Sequence, residues 1–364
     1  MNDRSHSLAA FSLVVLTAGI ANSQSGRIRN SAERPIRLRV EEVLLPVTLH
    51  NTISSKLPRL DASDFKIVED GAVHQVTSVA RRPASVVIVI DNSNTTMSYK
   101  DINLNMELAL KVVPLLGESD RVAALTYGDK VEVVSGWTTD KQAVLDAIKW
   151  KCKPGIKSHF YDALLYAGEH LLASVPGPRI VILISDGVDS FNADVMEKAR
   201  MSLNKCRATL YFVCQNAVIL KDLKPYAFGP AALYAMFISK DPLHDDARQR
   251  LLILRHYAHE LEASVYTLDD LARESGGQVW NPATLEGFKG SSDALIKEVG
   301  AEYLISYISR RQPNDEDFHP VQVSSTIPGV EIRTRRGVYA NSEKQEASSS
   351  KDSNRNPEPA RVKP

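Results

Sequence analysis

The chain is poor in the residues that mark several functional classes. Its 364 residues include three cysteines, three tryptophans and nine histidines, and aromatics make up 7%. A disulfide-dense secreted scaffold is therefore excluded. The 44 basic and 44 acidic side chains cancel, and no polybasic block occurs, so nothing in the charge favours nucleic acid as partner. Phosphate-cradling G-x-x-x-x-G-K-[ST] loops and G-x-S-x-G nucleophile elbows are absent. Histidines at 256 and 259 in "HYAHE" fit neither zincin order, and a surface or interface helix accounts for them.

Long apolar runs are also scarce. One uncharged run, "LAAFSLVVLTAGIA", covers residues 8 to 21 behind Arg4, and "ANS" at its end places small residues at Ala21 and Ser23. As a helix it spans about 21 Å, short of the roughly 30 Å hydrocarbon layer. A cleaved export signal over 1–23 is the expectation, leaving no membrane span and a secreted or periplasmic product. Residues 24–34 read as a flexible polar segment, and 341–364, rich in Ser, Pro, Asn and charge, as a disordered tail. The strand-like "CRATLYFVC" holds Cys206 and Cys214 about 26 Å apart at ~3.3 Å per residue, too far to bridge. A Cys152–Cys214 pair and three free thiols both stay open.

What is present has a clear rhythm. Residues 35–82 alternate as short strands around an Asp70-Gly71 turn, which predicts a small β module. From Ser85 the pattern becomes strand, helix, strand, with continuous apolar runs at "SVVIVID" and "RIVILISDG". Strands apolar on both faces, alternating with helices, predict a doubly wound α/β domain with a mostly parallel sheet over 84–310. "QVW" and "EYLISYIS" read as its last strands, "DARQRLLILRHYAHELEA" and "TLDDLARES" as two helices, and 216–262 as an insertion near the ligand crevice that shapes specificity. "HPVQVSS" and "VEIRTRRGVYA", joined at Pro328-Gly329, predict a C-terminal β hairpin within 311–340.

Two of the apolar strands run into an aspartate, Asp91 and Asp186, and Ser93 and Thr95 follow the first. Ligands of an open parallel sheet bind beyond the strands' carboxyl ends, where strand order reverses. If the two strands are neighbours there, their carboxylates meet. Oxygen donors without imidazole or thiolate suit a hard cation such as Mg2+, whereas an N-cap cluster is the plainer role for the same residues. A D-x-D-x-T phosphatase would need an acid at position 93, and serine cannot supply it, so a non-enzymatic role is expected.

"DNSNT", "SHFYDALLYA" and "ISDGVD" together resemble the von Willebrand factor A domain. The flanks "DFKIVEDG" and "YLISYIS…RRGVYA" resemble the VWFA-related proteins of acidobacteria. The resemblance implies a metal-ion-dependent adhesion site at Asp91, Ser93, Thr95, Ser158 and Asp186, binding Mg2+ or Mn2+. A protein or other ligand supplies a carboxylate to complete the shell. Thr95 stands where Ser is usual and Ser158 where Thr is usual. Lys157, beside a proposed ligand, is expected to face solvent. Asp162 is expected to serve a helix dipole, and Asp189 to be solvated or to brace the loop after Asp186. The second reading is a structural or assembly module of the same fold with a degenerate, metal-free site.

Overall fold

The computed structural model describes residues 39–54, 56–94, 100–190, 193–233, 245–311 and 317–339. The expected export signal, the 24–34 segment, the tail and Thr95 lie outside the described residues.

The central sheet has six strands in the order β6-β5-β4-β7-β8-β9. They are β4 (Ser85–Asp91), β5 (Arg121–Tyr127), β6 (Val131–Thr138), β7 (Arg179–Ile184), β8 (Thr209–Val213) and β9 (Gln278–Trp280). All pairings are parallel except that of the edge strand β6 with β5. Side chains alternate across a strand. Val86, Ile88 and Ile90 of β4 thus enter one core and Val87 and Val89 the other, all of them fully buried. Each such side chain contributes roughly 1.5–3 kcal/mol, and that double burial is why "SVVIVID" is apolar without alternation. After β4 the chain moves to β5 on one side, then crosses to β7 on the other. The reversal of strand order therefore lies between β4 and β7, as predicted.

Helices cover both faces. The first core receives α1 (Ile102–Val112), α2 (Lys141–Lys151) and α7 (Leu285–Gly300). The second receives α3 (Phe160–Tyr166), α4 (Ala193–Lys205) and the C-terminal part of α6 (Asp245–Ser275). Residues 245–275 are one helix of 31 residues rather than the two expected, since no Gly or Pro interrupts them. Within the expected insertion, α5 (Asn216–Phe228) forms despite Pro225, which sits in its last turn.

The flanking strands correct the sequence reading most. β1 (Arg39–Asn51), β2 (Phe65–Glu69), β3 (Ala72–Ala80), β10 (Glu302–Arg311), β11 (Phe318–Ser325), β12 (Val330–Thr334) and β13 (Gly337–Tyr339) form a single seven-stranded sheet. Its order is β12-β1-β10-β3-β2-β11-β13, antiparallel throughout. "EYLISYIS" is therefore not a strand of the central sheet, because it pairs with β1 and β3. The expected C-terminal hairpin forms only in part: its first half, β11, pairs with β2 on one side and with β13 of the second half on the other, while β12, the rest of the second half, pairs with β1. The β2–β3 turn is as expected: Asp70 (φ 50°) and Gly71 (φ 79°) both take the left-handed backbone of a two-residue hairpin. The three cysteines are free thiols, with Cys206 and Cys214 buried.

Candidate functional site

The crevice at the β4/β7 reversal is built from four segments. Asp91 ends β4, and Asp186 follows β7 by two residues. Adjacent parallel strands in register, with Ile90 opposite Ile184, bring the two carboxylates to the same rim. The loop after α2 crosses over the first: Gly155 N–H donates to Asn92 O (3.0 Å) and Asn94 N–H to Gly155 O (2.8 Å). A Cβ on Gly155 would lie 2.4 Å from the Asp129 amide nitrogen, so glycine is required for that approach. Asp129 Oδ1 fixes the same loop through the amides of Ile156 (2.9 Å) and Lys157 (3.0 Å), and these two bonds hold its carboxyl below the ordinary aspartate range.

Within the crevice each carboxylate uses one oxygen locally. Asp91 Oδ1 accepts from Ser93 N–H (2.9 Å) and Ser93 O–H (2.6 Å), and Asp186 Oδ1 from Val188 N–H (3.0 Å). The remaining oxygens converge on one cation, the Nζ of Lys100. It donates to Asp91 Oδ2, lies 2.9 Å from Asp186 Oδ2 and reaches Ser93 Oγ at 3.1 Å. An ammonium has three hydrogens, and here all three are engaged. Ser185 O–H also donates to Asp91 Oδ2 (3.3 Å), and Tyr127 O–H pairs with Ser185 Oγ (2.5 Å).

All of these groups are buried: Asp91, Ser93 and Tyr127 are 0% exposed, Asp186 1% and Lys100 4%. Burial works against the Lys100 ammonium, yet the charges and hydrogen bonds of Asp186 and Asp91 outweigh it and raise its pKa. Two carboxylates share one ammonium, so negative charge is in excess. Accordingly the Asp186 carboxyl titrates above its ordinary value, through burial first and the Asp91 charge next among the causes that raise it. Burial and the same two charges push the Tyr127 phenol well above 10.

Side chains of α5 and α6 reach the crevice at Asp186. Tyr257 of α6 donates to Asp186 Oδ2 (3.2 Å). Asn216 Nδ2 (2.9 Å) and Ser264 O–H (2.8 Å) donate to the Asp186 carbonyl. Ile219, Leu223, Tyr257 and Leu261 pack with Val188 into a small core of their own.

The predicted residues fare differently. Asp91, Ser93 and Asp186 are brought together. Ser158 is buried close by in the chain's fold, but its hydroxyl donates to Val188 O (2.7 Å). Lys157 is exposed, as expected. Asp189 braces the loop, accepting from Tyr161 N–H (2.9 Å), and Asp162 lies in the first turn of α3 with His159 Nδ1 at 2.7 Å. His256 and His259 are exposed and sit beside Glu260 and Glu262 on the same helix. Lys100, Tyr127 and Tyr257 were missed. The signal for Lys100 was a lone cation inside the loop that also carries the "DNSNT" oxygens.

Whether these residues fit a divalent ion can be judged from the donors. Mg2+ demands near-octahedral oxygen at about 2.0–2.1 Å. Here the point shared by both carboxylates is held by an ammonium, and the Ser158 hydroxyl is turned to a backbone carbonyl. Among the described residues, the set as arranged fits Lys100 and does not fit a metal beside it. Among the described residues, no group of three or more His, Cys, Asp or Glu side chains could hold a metal ion.

Residues 85–244 match the family model of the von Willebrand factor type A domain. The chain carries a von Willebrand factor type A domain. No curated protein matches it. Solved structures similar to it include an aerotolerance-related membrane protein from Bacteroides fragilis, 13% identical over 60% of this chain and 98% of that one (TM-score 0.38). Another is the von Willebrand domain of the type V pili tip protein Mfa5 from Porphyromonas gingivalis, 25% identical over 29% and 38% (TM-score 0.25). A third is proximal thread matrix protein 1 from the mussel byssus with a zinc-occupied MIDAS motif, 16% identical over 37% and 38% (TM-score 0.30). The A-domain chain thus spans well under half the length of the last two. Among its described residues no helix is long and apolar enough to cross a membrane.

Proposed function

We propose that this A-domain protein is an exported interaction or assembly module that engages its partner without a bridging metal. The observation that carries the reading is the Lys100 ammonium between Asp91 and Asp186. An adhesion site of the metal-dependent kind leaves one face of its cation open to a carboxylate from outside. Here the cation belongs to the chain, is buried, and lies under Tyr257. Capture of an acidic ligand through Mg2+ or Mn2+, the first reading of the sequence, has less support than the metal-free alternative. The insertion stands where ligands of open α/β sheets bind, and we assign partner choice to it.

Export rests on the leader expected at 1–23, and no catalytic step is part of the reading. Mass spectrometry of the secreted or periplasmic protein should place the mature N-terminus close after Ser23. Affinity capture by the full chain, carried out with and without EDTA, tests the function. The same partner is expected in equal amount under both conditions, and its loss on chelation would end the metal-free reading.

A further inference from the structure

The cation of this site is supplied from within, and the oxygens around it are oriented as they would be for a shared ion. Each carboxylate satisfies one oxygen with nearby groups and turns the other to the same point. Ser93 gives its proton to Asp91 and presents a lone pair to Lys100. That is the arrangement a hydroxyl adopts toward any cation, ammonium or metal. The lysine side chain is 1% exposed and both aspartates are at or below that value, so the ammonium and the carboxylates it joins are held away from solvent together.

We propose that Lys100 is a resident cation that keeps a divalent-metal site closed, and that removing its ammonium opens the site to Mn2+ or Mg2+. Without Lys100, two buried carboxylates face each other uncompensated. A divalent ion restores the lost charge and brings water into the space the stem vacates. Asp91, Asp186 and Ser93 supply the protein oxygens. The same cation also holds the insertion, because Asp186 is the carboxylate that takes the Tyr257 hydroxyl. Lys100 is therefore a positioning residue for α6 as well as a charge partner.

The inference rests on the metal-free reading of the site, but the two fail separately: chelator-sensitive capture by a wild type that takes up no Mn2+ would end that reading through a metal held elsewhere, and would leave the following titrations unchanged. Isothermal titration of the full chain with MnCl2 should show no site in the wild type. Lys100→Ala should bind one Mn2+, a gain of about 100-fold or more in affinity, and its Tm should rise as the site saturates. Lys100→Ala/Asp186→Asn should lose that binding. Hydrogen exchange over 245–262 should quicken in Lys100→Ala and slow again with Mn2+. One tight equivalent of Mn2+ on the wild type, a folded Lys100→Ala that binds none, or binding that survives Asp186→Asn would each overturn the proposal. Where Lys100→Ala does not fold, acylation of native wild-type lysines decides. Lys100 should stay unmodified until the chain is denatured, and modification at the rate of the exposed Lys157 would overturn the assignment.

Discussion

Asp91 and Glu302 are both buried acids, but their surroundings differ. Asp91 has an ammonium, two hydroxyls and an amide. Glu302, 4% exposed at the start of β10, receives a long 3.4 Å hydrogen bond from Tyr211 of β8. Burial pushes its carboxyl from 4.5 up to about 8. The folded state then holds this proton more tightly than the unfolded chain does. Its contribution is complete below about pH 4.5 and is lost as pH rises through 8. Glu302→Gln, which cannot ionise, should therefore be more stable than wild type at pH 8 by a few kcal/mol, on the order of the 1.4 kcal/mol per pKa unit that linkage gives. The two should converge near pH 4.5. Urea melts of both proteins across that range check it, and parallel pH profiles would refute it. At this scale the sequence disclosed the two aspartates, because an apolar strand that ends in a carboxylate is conspicuous. Lys100 was not legible: a lysine in a polar loop looks solvated, and only the folded path of the chain shows where its stem is directed. The lysine that drew notice, Lys157, is the exposed one.

Elements were legible where burial follows a period without interruption. α7 was not read because serines occupy two of its buried positions, Ser291 and Ser292, between Phe288 and Leu295, and glycines dilute the rest. The helical spacing is present, yet it is written in small residues. Two glycines make the point testable in opposite directions. A Cβ at Gly290 meets nothing within 4 Å, so Gly290→Ala should stabilise by about 0.5–1 kcal/mol through helix propensity alone. At Gly277, just before β9, a Cβ would lie 1.8 Å from Leu210 O. Gly277→Ala must separate β9 from β8, a loss of roughly 3 kcal/mol or more for a clash against backbone. Denaturant titrations of the two variants should move the midpoint up and down respectively. A neutral Gly277→Ala would mean that β9 does not pack as described.

At the scale of the whole molecule, the order of strands in the flanking sheet could not be read locally, since β1 finds β10 some 260 residues later. What binds that sheet to the A domain is a set of long-range polar contacts centred on Arg335, which is 1% exposed between β12 and β13. Its Nε donates to Gly337 O (2.7 Å) and its Nη2 to Asn204 Oδ1 (2.8 Å) at the end of α4. Asn204 in turn donates to Glu274 of α6 (2.7 Å), and Arg200 pairs with the same glutamate (2.5 Å). Burial, with the neighbouring Arg207 charge added, brings the Arg335 guanidinium down to about 10. Arg333 extends the seam to Gly276 O (3.0 Å), Gln278 (2.8 Å) and Glu298, and Leu49 N–H of β1 reaches Ala301 O (3.0 Å). With strands from both ends of the described chain in one sheet and that sheet tied to three helices, the flanks and the A domain should unfold together. Calorimetry should give one transition whose calorimetric and van't Hoff enthalpies agree. Arg335→Ala leaves Gly337 O and Asn204 Oδ1 without their guanidinium donor in a buried setting, and each buried acceptor left unsatisfied costs about 1–3 kcal/mol. Arg335→Lys should recover little of it, because one ammonium cannot reach Gly337 O and Asn204 with the planar spread of a guanidinium. Should Arg335→Ala keep the wild-type Tm, or the wild type melt in two separated steps, the flanking sheet would be an independent module after all.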